Sequence, residues 1–114
     1  MSDPLASCRA LAATLINAAD PAPILPDQLP CPPLDLLVVL HEQVLRTMLS
    51  DLAYAQRAAQ VAWQVARRFP HDALVQAQAH WTSGTAILYM PAYARSLEHY
   101  DAALQWYDRA CFCQ

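Results

Sequence analysis

The sequence predicts an all-α protein built from antiparallel helical hairpins. Three observations lead there. Glycine occurs once in 114 residues, alanine is abundant and β-branched residues are sparse, a composition that favours helix over strand. Apolar and small residues recur at helical spacing in every long segment. The prolines sit mainly at segment junctions, where the missing amide donor ends a helix.

The length allows at most one modest domain. All seven basic residues are arginine, and the formal charge of −3 leaves no basic footprint for nucleic acid. The most apolar run, Leu34 to Leu40, contains Asp35 and is too short to span a bilayer. No membrane partner is expected. Near the N-terminus stands Asp3 with no basic lead, unlike a secretory signal. Cys8, Cys31, Cys111 and Cys113 show no disulfide framework, so reduced thiols and a cytoplasmic location are expected.

The first helix is expected from Asp3-Pro4, an N-cap followed by proline at the first helical position, to about Ala19. Leu5, Cys8, Ala12, Leu15 and Ala19 form its stripe, with Leu11 beside it. Residues 1–20 read as a capping helix. Residues 21–33 form a Pro-rich linker: with Asp20 the stretch holds six prolines in fourteen residues, and Ile24, Leu25 and Leu29 are available to pin it to the body.

Residues 34–114 read as two helical hairpins. The helix Leu34–Leu49 carries Leu37, His41, Val44 and Met48 on one face, widened by Leu34, Val38, Leu45 and Leu49. His41-Glu42 opens like a zinc-protease helix, but Leu45 stands where the second histidine is needed, so the motif fails. Ser50-Asp51 forms a corner. The next helix runs from about Leu52 to Phe69 with a seam of Ala55, Ala59 and Ala62, with Trp63 and Phe69 as larger anchors, and with Arg67 and Arg68 in its last turn, where cations complement the helix dipole. After the turn Pro70-His71-Asp72, a helix leads from Ala73 through Gly84 to a corner at Met90-Pro91-Ala92. The final helix follows. A glycine inside a helix costs about 1 kcal/mol relative to alanine, so Gly84 points to another backbone close by.

The stretch Ala77–Ala110 resembles a tetratricopeptide repeat (TPR). The residues that carry the resemblance are Gly84 in the first helix, with Ile87 in the aromatic slot, and Ser96-x3-Tyr100-x2-Ala103 in the second. His80 and Ser83 replace the usual Trp and Leu. Ala55, Ala59 and Ala62 align with Ser96, Tyr100 and Ala103 at an offset of 41 residues. That period is longer than the standard repeat of about 34 and is similar to long TPR variants of bacterial signalling proteins, which occur beside CHAT protease and signalling ATPase domains. At this offset Gln43 falls on Gly84 and Arg46 on Ile87, so the first helix of the first repeat departs from the pattern.

The resemblance implies a short TPR-like solenoid with an N-terminal capping helix, and a non-catalytic scaffold that binds a protein or peptide in a groove. Gln78, Trp81, Thr85, Leu88 and Tyr89 would line it from one repeat, and Leu37, Leu40, Val44 and Thr47 from the other. The Lys- and Asn-based carboxylate clamp of some TPR proteins has no counterpart: there is no lysine, and Asn17 is the one asparagine. Tyr93, Tyr100 and Trp106 are expected to pack between helices. The chain stops within a helix at Cys111-Phe112-Cys113, and about three or more repeats are normally needed for a continuous core. Continuation of the array, or self-association through a C-terminal edge of Leu104, Tyr107 and Phe112, is therefore expected; a self-associating structural bundle is the alternative function. No cofactor, metal ligand set or catalytic motif is read: the cysteine spacings match no usual zinc site, and adjacent His/acid pairs on a helix point apart.

Overall fold

The computed structural model describes residues 5–86 and 93–112. These form five α-helices: α1 Ala6–Asn17, α2 Pro33–Thr47, α3 Leu52–Ala66, α4 Ala73–Ala86 and α5 Tyr93–Phe112, with a 3-10 turn at Ala22–Ile24. No strand occurs among the described residues. The expected start at Asp3-Pro4 and the expected corner at Met90-Pro91-Ala92 lie outside them, as do Ile87, Leu88, Tyr89 and Cys113. So do the side chains of Tyr93, Ser96 and Phe112.

Junction chemistry sets the helix ends. Asp51 caps α3, its carboxylate accepting the Tyr54 amide at 3.1 Å, and Asp72 accepts the Val75 amide at 3.3 Å at the head of α4. Such caps satisfy amides that have no partner within the helix. The opposite end of α3 is closed from a distance. The Gln76 side-chain amide donates to the carbonyls of Ala66 and Phe69, at 2.9 and 3.2 Å. α3 ends at Ala66, three residues before the expected Phe69, and α2 ends at Thr47 rather than Leu49.

The core lies between α2, α3 and α4, with α1 laid across α2 and α3. The small residues of α3 allow this close approach: Ala55, Ala58, Ala62 and Ala66 are buried, as is Ala59. From α1 come Cys8, Ala12, Leu15 and Ile16. Ile16 takes the place expected for Ala19, which is exposed beyond the helix end. Burying a Leu or Ile side chain is worth about 1.5–3 kcal/mol, so these residues anchor a helix whose remaining contacts are light.

The buried face of α2 is not the expected one. Leu37 and Val44 are buried as expected, but Leu36, Val39 and Leu40 complete the core. Val38, Leu45 and Leu49, expected to widen the apolar face, are 38, 54 and 81 % exposed. The correction has a simple cause. α2 packs against three helices, α1, α3 and α4, and its nearly continuous apolar turns let the neighbours choose which side is covered.

The linker is tied down. Leu25 is buried and Leu29 packs on the core, whereas Ile24 is 47 % exposed. Arg68 reaches back across the chain and donates to the carbonyls of Leu25, at 2.9 Å, and Pro26. Cys8 and Cys31 form a disulfide that staples α1 to the end of the linker, with Cα atoms 6.1 Å apart. This corrects the expectation of four reduced thiols; Cys111 is free and exposed. Disulfides persist in oxidising surroundings, so the pairing removes the support that reduced thiols lent to a cytoplasmic location. No described helix is long and apolar enough to cross a membrane.

Candidate functional site

Polar and aromatic side chains gather along α4 and link it to its neighbours on three sides. Toward α2, His41 Nδ1 lies 2.9 Å from Thr82 Oγ1. The Gln78 side-chain amide approaches the same hydroxyl at 3.5 Å, and the Tyr107 hydroxyl of α5 approaches Gln78 Oε1 at 3.5 Å. The result is a polar line from α2 through α4 to α5. Burial holds the His41 pKa below its ordinary value, partly offset by the adjacent Glu42 carboxylate, and raises that of Tyr107.

The expected groove residues do not form one open surface. Leu37, Leu40 and Val44 are fully buried and so have no free face to offer a ligand, because they fill the space between α2 and its neighbours. Thr85 is 5 % exposed; its hydroxyl donates to the Trp81 carbonyl at 2.9 Å and sits 3.2 Å from the Tyr100 hydroxyl. Gln78 is half-buried, and so is Thr47, whose hydroxyl donates to the Gln43 carbonyl at 2.7 Å. Trp81 remains 39 % exposed and rests against Tyr100, ring centroids 5.3 Å apart. Leu88 and Tyr89 lie outside the described residues. On α5, Leu104 is 55 % exposed and Tyr107 half-buried. Trp106 is half-buried, with the Arg109 guanidinium 4.7 Å from its ring centroid.

A second cluster joins α3, α4 and α5. The Trp63 ring stands edge-on to His80, with centroids 4.6 Å apart and planes at 89°, and lies 6.1 Å from His99. The two imidazoles turn Nδ1 toward Nδ1 at 3.4 Å. Their rings are tilted by 39°, with centroids 5.6 Å apart. His80 is held below its ordinary pKa, first by burial and then by His99. Beside Trp63 is a depression of about 250 Å³ lined by Gln60, Trp63, Gln64 and Arg67. Gln64 also lines a cavity of about 160 Å³ between the end of α1 and α3, with Arg57 and Gln60. The Gln64 side-chain oxygen is buried and takes no hydrogen bond from the protein.

In the sequence each histidine stands alone or beside an adjacent acid, which hides this cluster. The usable signal was the hairpin itself: His80 and His99 flank the expected corner, and an antiparallel turn brings such positions together.

A scan against protein-family models and searches of curated proteins and solved structures found no match to this chain.

Proposed function

We propose that this chain is a non-catalytic, TPR-like helical-repeat module whose work is to hold a protein or peptide partner. The reading is supported above all by the way the hairpins neighbour one another. Helix α2 packs on α3, α4 on α5, α4 also on both α2 and α3. A repeat array has this order of neighbours, each unit touching the next through its first helix. His41 and Thr82, which meet between the two first helices, are separated by 41 residues, the period read from the alanine seam.

The binding surface differs from the groove first expected. Val38 and Leu45 of α2 and Leu49 just beyond its end are exposed, and Trp81 of α4 keeps an exposed ring. Aromatic anchors of this kind dominate binding energy at interfaces. Selection of a random peptide library on the intact chain tests the proposal. Enriched peptides should lose binding to Trp81→Ala or to Leu45→Ser combined with Leu49→Ser, with the circular dichroism spectrum unchanged. No enrichment, or peptides indifferent to all these changes, would overturn it.

A self-associating bundle is the second reading. It rests on α5, which packs chiefly on α4 and leaves Leu97 and Leu104 47 and 55 % exposed.

A further inference from the structure

We infer that His80 and His99 form a two-imidazole chelate for a divalent transition-metal ion, built across the α4–α5 hairpin.

The distance carries the argument. A good hydrogen bond to nitrogen or oxygen spans roughly 2.7–3.2 Å, and the Nδ1 atoms stand 3.4 Å apart. Metal–nitrogen bonds of about 2.0–2.1 Å at a tetrahedral ion place two ligand nitrogens about 3.3–3.4 Å apart. The observed spacing is long for one imidazole donating to the other and right for both binding one ion. With metal bound, each Nδ1 presents its lone pair and each Nε2 carries the proton.

The surroundings favour the same assignment. Trp63 packs edge-on against His80 and lies against His99 as well, which restricts the two rings. Imidazole suits zinc, nickel and copper. Among the described residues no group of three or more His, Cys, Asp and Glu converges. The described residues therefore supply two ligands, as suits a weak and exchangeable site rather than a structural one. This inference is independent of the repeat reading.

Titration of tag-free, chelator-treated full chain with Zn²⁺ by calorimetry tests it. The expected result is one ion per chain. His80→Ala and His99→Ala should each weaken binding by at least about tenfold, since even residues that only support a ligand commonly cost that much. His71→Ala should leave it unchanged. The unaltered chain supplies a second readout that does not depend on any variant folding: Zn²⁺ should shift the imidazole NMR signals of His80 and His99 and spare those of His41 and His71. Cu²⁺ should quench Trp63 fluorescence, and Trp63→Phe should lose that quenching while still binding Zn²⁺. No saturable uptake below about 1 mM, uptake indifferent to both substitutions, or shifts confined to His41 and His71 would overturn the inference.

Discussion

His41 Nδ1 and Thr82 Oγ1 meet at 2.9 Å across the α2–α4 interface, 41 residues apart. The contact ties α2 to α4, and it places a half-buried imidazole where its protonation state matters to the fold. Without the Thr82 hydroxyl, that imidazole nitrogen loses the protein partner it has at this interface. Thr82→Val should therefore destabilise by about 1–3 kcal/mol, the usual cost of an unsatisfied buried polar group. A urea denaturation midpoint equal to that of the parent would rule this out.

The same histidine makes stability depend on pH. Burial holds the pKa of His41 in the folded chain below the ordinary value of 6.5, and that of His80 as well. As pH falls through about 6.5 the unfolded chain takes up protons that the native chain resists, so stability declines. The decline continues until the folded-state pKa values are passed. Above that window both states are neutral and the dependence vanishes. Urea midpoints should be lower at about pH 5.5 than at about pH 7.5, and His41→Gln should flatten the difference. A midpoint that rises on acidification would contradict the sign.

Gly84 is buried within α4. Gly84→Leu should destabilise by about 1–3 kcal/mol through overpacking. Gly84→Ala should be mild, because alanine recovers about 1 kcal/mol of helix propensity. Chemical denaturation of the two variants provides the comparison, and a leucine variant as stable as the parent would remove the close-packing argument.

Arg68 holds the linker through the Leu25 and Pro26 carbonyls. Arg68→Ala should lower stability by up to about 2 kcal/mol: hydrogen bonds from a charged donor are worth about 1.5–3 kcal/mol, and the exposure of Arg68 to solvent reduces that. Limited proteolysis should then cut earlier between residues 20 and 32. An unchanged cleavage pattern would show that Leu25 and Leu29 suffice to seat the linker.

The Cys8–Cys31 bridge closes a segment with a sequence separation of 23. Loop-closure entropy for such a length is worth about 3 kcal/mol. Cys8→Ser combined with Cys31→Ser should unfold at correspondingly lower denaturant. Parent chain treated with reductant should behave likewise, and an oxidised parent no more stable than the double variant would sink the prediction.

If α5 seeks a partner of its own kind, the chain should associate with rising concentration. Changing Leu97 and Leu104 to Glu should reduce that association, because both are exposed on α5 and exposed apolar patches mark contact sites. Sedimentation equilibrium over a wide concentration range decides it: a strict monomer throughout would leave the open face of α5 without a self-association role.

Much of the architecture was local and therefore legible in the sequence. The all-α class followed from one glycine, abundant alanine and helical spacing. Asp51 and Asp72 marked helix starts because a short carboxylate caps free amides wherever it stands. The alanine seam of α3 was readable because small residues at helical spacing have few other uses. Tertiary structure decided what depends on distant neighbours. Val38, Leu45 and Leu49 face outward and Leu36, Val39 and Leu40 inward, since a helix apolar on most sides does not specify its buried face. Cys8 found Cys31 only once α1 lay across the core. His80 found His99 only once α5 turned back along α4: a side chain's chemistry is written in the sequence, but the partner within reach is set by how the helices pack.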